Sequence, residues 1–335
     1  MLEKPDMPDA RLIACLRDYY GMRVGEIAFL PLGADQNTAV YRVLADGGTA
    51  LFLKLRSGPF DAATVAIPRL LRERGVKQVI APIETRTGEV WARLDDFAVI
   101  LSPFIEGADG FERDLSDGQW VELGIALKGL HTAAVPPALG ASIPREVYSP
   151  RLRDLTTMFL ARAADTAYTE PVAVQVAALL REQRATITDV VARAGRYADA
   201  LRARPLPYVL CHADIHAGNV MLTADDRLYV VDWDTPIYAP KEQDLMFIGA
   251  GIGGGWRSPR EAALFYRGYG EADVDSLVLA YYRFERIVQD VATFCEQLLL
   301  TDEGGADRPQ FLRYLMSSFE PEGTIAVAYR AHAGI

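Results

Sequence analysis

Apolar residues in the first hundred positions recur mainly at alternate places, and in the rest of the chain mainly three and four apart. Ala10–Tyr20 has the helical spacing, with Gly21 behind it where a C-terminal cap belongs. Ile27–Pro31, Ala39–Leu44 and Ala50–Leu55 are rich in β-branched and aromatic residues. A polar, glycine-containing turn and the Asp46-Gly47-Gly48 turn separate them, which predicts an antiparallel meander. A helix is expected over Asp61–Arg74, although Pro68 suits its interior poorly. Val79–Ile83, Val90–Leu94 and Phe97–Leu101 read as further strands.

The pattern changes at Ser102-Pro-Phe-Ile-Glu-Gly107. Beyond it, amphipathic helices are expected over Trp120–His131, Arg151–Arg162, Val172–Arg193, Pro259–Tyr269 and Val274–Leu300. Short strands interrupt them at Tyr208–Cys211 and in a hairpin of Val220–Leu222 with Leu228–Val231, turning at Asp225-Asp226. Strands first and helices later predict an α+β protein of two lobes: an antiparallel-sheet lobe over 1–101, a hinge at 102–107 and a mainly helical lobe over 108–335.

Composition narrows the function. In a chain of 335 residues, 35 Lys and Arg stand against 45 Asp and Glu, a net charge of −10. That surplus of acid argues against gripping nucleic acid and agrees with a cationic small substrate. Cys15, Cys211 and Cys295 are odd in number and far apart, so no disulfide framework is expected. The start of the chain lacks a signal-peptide pattern, and no apolar stretch approaches the roughly 20 residues of a membrane span. A cytoplasmic protein, monomeric or weakly dimeric and without membrane partners, is expected.

Chemistry concentrates in His212-Ala-Asp214-Ile-His216-Ala-Gly218-Asn219-Val220 and in Leu228-Tyr-Val-Val-Asp232-Trp-Asp234. The intervening hairpin brings its ends together, so Asp214, Asn219 and Asp232 can converge at one edge. Two carboxylates and an amide oxygen are hard ligands that suit Mg²⁺ rather than zinc. This arrangement resembles the catalytic and metal loops of the aminoglycoside phosphotransferases, relatives of the protein kinases. The resemblance implies a bilobal protein-kinase-like fold with ATP between the lobes. In it Asp214 receives the acceptor hydroxyl, and Asn219 and Asp232 hold Mg²⁺ on the nucleotide phosphates.

Further residues follow from the resemblance. Lys54 in Leu51-Phe-Leu-Lys-Leu55 matches the lysine that pairs with the α- and β-phosphates. Gly33, Asp35, Asn37 and Thr38 lie where the family covers those phosphates, with one glycine and several polar side chains. Asp61 is taken as the acid that pairs with Lys54, about one turn before Thr64, near which the family often has Glu. At the hinge, adenine would donate to the Pro103 carbonyl and accept from the Ile105 N–H. Only a carbonyl is needed at position 103, so a proline fits. Cys211–Val220, Val231–Asp234, Ala239–Gly249 and Tyr281–Val288 look like the spectinomycin phosphotransferase branch.

Other readings compete at single residues. His212 reads as structural, and Asp244 as a buried acid that accepts backbone N–H groups. His216 either touches substrate or caps its loop. Asp234, Glu106 and Asp109 are candidates to meet a cationic substrate, although acids in such runs are commonly surface charge. Gly249-Ala-Gly-Ile-Gly-Gly254 formally matches a dinucleotide fingerprint but opens no βαβ unit. Cys211, His212 and His216 have a spacing open to zinc only if a helix carries them. The expected function is ATP- and Mg²⁺-dependent phosphorylation of a hydroxyl on a small cationic aminocyclitol or aminoglycoside, spectinomycin first. A metabolic kinase of amino alcohols, sugars or homoserine-like acceptors is the alternative, as is a silent nucleotide-binding protein.

Overall fold

The structure is a computed structural model and describes residues 3–33, 35, 37–249, 252, 255–301 and 304–332. The chain forms two compact units, residues 1–143 with 218–236, and residues 144–217 with 237–335.

In the first unit, helix α1 (Asp9–Tyr20) precedes strands β1 (Val24–Leu30), β2 (Thr38–Ala45) and β3 (Ala50–Ser57). Helix α2 (Ala63–Glu73) then leads to β4 (Ala92–Leu94) and β5 (Phe97–Pro103). The five strands make an antiparallel sheet in the order β1-β2-β3-β5-β4. Alternation along β3 decides what each face does. Leu51, Leu53 and Leu55 are buried with Leu12, Cys15, Leu16 and Tyr20 of α1, and Tyr41, Val43, Val99 and Leu101 complete that core. Phe52, Lys54 and Arg56 fall on the other face by the period of two. Gly21 takes a left-handed φ of 70° and returns its N–H to the Arg17 carbonyl, which stops α1.

Two elements depart from the sequence pattern. Val79–Ile83 is not a strand, and Val79 makes only an isolated parallel bridge to Val230. Pro82 interrupts that run and removes a ladder donor. Helix α2 begins at Ala63 and tolerates Pro68 in its interior, burying it beside Val65, Ile67 and Leu71.

The first unit continues through β6 (Gly107–Asp109), α3 (Asp117–His131) and the short α4 (Pro137–Gly140), past the segment read as a hinge. The reason is strand pairing. β8 (Val220–Thr223) and β9 (Leu228–Val230) form the expected hairpin, and β6 adds to β8 antiparallel. Gly107 permits this approach: a Cβ there would lie 2.3 Å from the Leu222 carbonyl oxygen. Gly107→Ala is therefore expected to cost about 1–3 kcal/mol through overpacking. Urea unfolding checks it, and an unchanged midpoint would contradict the close-approach argument.

The second unit holds β7 (Val209–Cys211) paired with β10 (Ile237–Ala239), and the remaining helices. These are α5 (Arg151–Asp165), α6 (Pro171–Glu182), α7 (Arg184–Arg202), α8 (Glu242–Leu245), α9 (Pro259–Tyr269), α10 (Ser276–Leu299), α11 (Asp307–Ser317) and α12 (Thr324–Ala331). The stretch read as one helix over Val172–Arg193 is two, broken at Gln183, with Arg181 and Arg184 donating to the Ala163 and Leu160 carbonyls of α5. The break lets Val176 and Leu180 pack on Phe159 and Leu160 while Ile187 reaches the same core. Helix α10 runs through the unit's centre, with Val291, Cys295 and Leu298 buried against α5, α6 and α11. Its 24 residues give a rigid rod about 36 Å long. Asp275 caps its first turn, accepting from the N–H groups of Leu277 and Val278.

The three cysteines are buried and free. Among the described residues no helix is long and apolar enough to cross a membrane. In the Gly249–Gly254 run, Gly249 has a φ of 74°, whereas residues 250, 251, 253 and 254 lie outside the described residues.

Candidate active site

Each unit carries part of the chemistry, beginning with a charge cluster in the first. The Lys54 ammonium lies 3.0 Å from Asp232 and 2.7 Å from Asp234. Two residues along the same strand face, Arg56 lies 2.6 Å from Asp234 and 3.2 Å from Asp35. Burial pulls the Lys54 pKa down, but the two carboxylates outweigh it and hold the ammonium above its ordinary value. Asp35 orders the turn before β2. Its Oδ2 accepts from the Thr38 hydroxyl at 2.8 Å and its Oδ1 from the Asn37 N–H at 2.9 Å. Gly33, just upstream, has a φ of 92° that glycine adopts without strain. Ala34 and Gln36 lie outside the described residues.

The hairpin sets two of the oxygen donors. Asn219 ends a short 3₁₀ turn (Ala217–Asn219), and its carbonyl accepts from the Val231 N–H at 3.0 Å. That bond closes the hairpin's open end, so Asn219 and Asp232 occupy the same end. Asp232 has a left-handed φ of 62°, a conformation that Asp tolerates better than most residues. Trp233 turns inward and donates to the Val230 carbonyl, which leaves the two flanking acids to Lys54 and Arg56.

In the second unit the loop after β7 carries Asp214. Asp244, fully buried, accepts from the backbone N–H groups of His212 (2.9 Å) and Ala213 (2.7 Å). Ala213 is thereby held at a φ of 71°, a strained value for a residue with a Cβ. His212 is fully buried and its Nδ1 accepts from the Asp214 N–H at 3.3 Å. The Asp214 carboxylate meets Arg286 of α10 at 2.5 Å through Oδ1 and His216 at 3.7 Å through Oδ2. Burial pushes its pKa up, but the Arg286 charge, followed by His216, outweighs burial and leaves it below the ordinary carboxylate value. Residues 212–216 are not helical, so the spacing that a zinc site would need is not realised.

The remaining sequence candidates fall as follows. Asp61 does not pair with Lys54: its Oδ1 accepts from the Ala63 N–H at 2.8 Å at the entry to α2. The acids on Lys54 are instead Asp232 and Asp234, brought in by the hairpin. Asp234, read as a contact for a cationic substrate, is engaged by Lys54 and Arg56. Glu106 pairs with Arg42, whose guanidinium lies over the Phe104 ring, and Asp109 closes a turn by accepting from Phe111 and Glu112. Pro103 ends β5 opposite Leu51, and Ile105 follows between β5 and β6. Arg56 and Arg286 escaped the sequence reading. Strand alternation from Lys54 was the available signal for Arg56. Arg286 lies within the Tyr281–Val288 motif but carries no spacing of its own.

The donor set fits a hard divalent cation. Asn219 and Asp232 could offer oxygen ligands, the kind that Mg²⁺ prefers, with the Asp234 carboxylate beside them on Lys54. In the first unit three carboxylates (Asp35, Asp232, Asp234) face two cations (Lys54, Arg56). The acids outnumber the cations by one, and Asp232 would be the carboxylate of this cluster to hold a metal ion that offsets phosphate charge. Lys54 and Arg56 are the side chains of this cluster that would pair with phosphate oxygens.

Residues 28–281 match the family model described as the phosphotransferase enzyme family. The crystal structure of spectinomycin phosphotransferase APH(9)-Ia in complex with ADP and spectinomycin is 34% identical. It covers 98% of this chain and 99% of its own, with a TM-score of 0.91. The AMP-bound complex of spectinomycin phosphotransferase APH(9)-Ia is 33% identical over 96% of this chain and 98% of its own, with a TM-score of 0.86. Protein StrN of Streptomyces griseus is 29% identical over 248 residues, 72% of this chain and 74% of its own. The protein-kinase-like fold, the nucleotide-binding chemistry and the oxygen-donor set agree: the chain belongs to the phosphotransferase enzyme family and is an enzyme that transfers phosphate from ATP, with a divalent metal ion, to a hydroxyl group.

Proposed function

We propose that this phosphotransferase acts on spectinomycin or a closely related aminocyclitol, inactivating it by phosphorylating one hydroxyl. The observation that carries this reading is the likeness, over nearly the whole of both chains, to an enzyme crystallised with ADP and spectinomycin. The net charge of −10 agrees with a cationic acceptor.

In this reading Asp214 accepts a hydrogen bond from the acceptor hydroxyl and aims its oxygen at the γ-phosphorus. Lys54 and Arg56 offset charge on the phosphates, and Asn219 and Asp232 hold the metal. That metal, when bound, neutralises charge on the phosphate oxygens. The transition state of phosphoryl transfer is loose, so orientation and charge supply most of the acceleration and little is asked of the base. A carboxylate kept anionic by Arg286 suits that demand: it is a weak base but a constant acceptor. Adenine is assigned to the backbone at Pro103 and Ile105.

An acceptor panel tests the assignment. With Mg·ATP, ADP release coupled to spectinomycin is expected to exceed that with kanamycin or choline by about 100-fold in kcat/KM, the discrimination a site gains by pairing specific polar groups. Expression in a sensitive bacterium should likewise raise tolerance to spectinomycin and not to kanamycin. Preferential turnover of an amino alcohol would make the protein a metabolic kinase, and equal turnover of kanamycin would overturn the aminocyclitol assignment.

A further inference from the structure

Helix α10 reaches into the second unit's part of the site with two side chains one turn apart. Arg286 places Nη1 2.5 Å from Asp214 Oδ1 and Nε 2.9 Å from Asp290 Oδ1. Its guanidinium also lies over the Phe247 ring, 5.7 Å from the centroid. One cation therefore bridges two carboxylates at fixed angles, and a ring face closes one side. Arg286 and Asp214 are 72 residues apart in sequence, so the contact is tertiary.

We propose that Arg286, braced by Asp290, is a positioning residue for Asp214: it fixes Oδ1 and with it the plane in which the carboxylate meets the acceptor hydroxyl. The inference rests on the phosphotransfer reading above and adds a residue to it. Three features favour a positioning part over simple structural charge. The planar guanidinium forks to two acids, so it sets direction as well as distance. Its carrier is a capped, buried helix rather than a loop, which suits placement of a reacting group. The arrangement is also unequal in charge. Asp214 and Asp290 outnumber the one arginine, and the other titratable side chains beside Asp214 among the described residues of this unit are His212 and His216 on its own loop. Burial raises the Asp290 pKa, Arg286 opposes that, and Asp214 adds to it.

Removing the guanidinium would leave two acids facing each other in a partly buried site, where like charges cannot both stay ionised at neutral pH. The sign follows. In the wild type the Asp214 carboxyl is held below its ordinary value, so its ionised form persists as pH falls into the acid range. Without Arg286 its pKa rises, and proton uptake by Asp214 costs the hydroxyl its acceptor.

The test compares wild type, Arg286→Met and Arg286→Lys in two measurements. The first is the pH dependence of kcat for phosphoryl transfer to spectinomycin with saturating Mg·ATP. Arg286→Met is expected to lower kcat by about 100-fold, with the KM for Mg·ATP changed less than about threefold. Its acid limb should move up by about two pH units. Arg286→Lys, which keeps the charge and loses the fork, should restore the limb but only part of kcat. The second is titration of the carboxyl ¹³C signal of Asp214, which needs no turnover. Arg286→Met should titrate about two units higher than wild type. An Asp214 signal that titrates at the same pH in both proteins would overturn the proposal. So would a folded Arg286→Met enzyme with full kcat, or one whose kcat falls with the acid limb unmoved. A wild type that transfers phosphate to no acceptor would instead remove the functional reading, with the titration still deciding the Arg286–Asp214 coupling.

Discussion

Asp214→Asn is expected to lower kcat by about 10³- to 10⁴-fold while leaving AMP affinity within about threefold of wild type. The loss combines poorer orientation of the hydroxyl with removal of the negative charge beside it. Asparagine keeps the size of the side chain and can still accept through its amide oxygen, so the fold should tolerate it. It cannot take up the hydroxyl proton or offer a full negative charge to Arg286. Arg286 keeps Asp290 as a partner, so the buried cation is not orphaned and the helix should not be disturbed. Steady-state kinetics together with AMP titration separate the outcomes. A variant that turns over at the wild-type rate would show that Asp214 is not the group at the acceptor hydroxyl.

The second large effect is expected at Asp232. Asp232→Asn should weaken Mg·ATP binding by about 100-fold or more, because a metal clamp on phosphate oxygens is worth several kcal/mol. AMP binding, which needs no metal, should change little. Asparagine is the informative replacement here. Asp232 has a left-handed backbone, which Asn adopts nearly as readily, so the substitution removes charge without reshaping the turn. Lys54 retains Asp234 at 2.7 Å, which guards against leaving its ammonium unpaired. Calorimetric titration with and without Mg²⁺ checks this, and undiminished Mg·ATP affinity would contradict the metal assignment.

Local structure was legible wherever one physical signal ruled. Along β3 the alternation of Leu51, Leu53 and Leu55 with Phe52, Lys54 and Arg56 specifies both the strand and which face is buried. Helix α9 begins with a Ser258 capping box and Pro259, and ends before Gly270, so its bounds could be read directly. The break at Gln183 could not, since neither glycine nor proline marks it and the apolar period runs across it. Arginine contacts on α5 carbonyls and packing on Phe159 make that turn.

Motif spacing brought out Asp214, Asn219 and Asp232 because their separation is constrained by one loop and one hairpin. The partner of Lys54 was misjudged for a related reason. Asp61 is near in sequence, but Asp232 and Asp234 arrive from about 180 residues away through strand pairing. Arg286 was hidden more deeply still, since a helix at the far end of the chain delivers it and its meaning exists only in the fold.

In the proposed mechanism Asp214 directs an acceptor hydroxyl at a phosphate whose charge is met by Lys54, and by the metal that Asn219 and Asp232 would hold. Phosphorus-31 NMR of purified protein incubated with Mg·ATP and spectinomycin tests it most directly. One new phosphomonoester resonance is expected, growing in step with ADP and absent with Asp214→Asn. ADP and inorganic phosphate without the ester, or the same ester formed at full rate by Asp214→Asn, would contradict it.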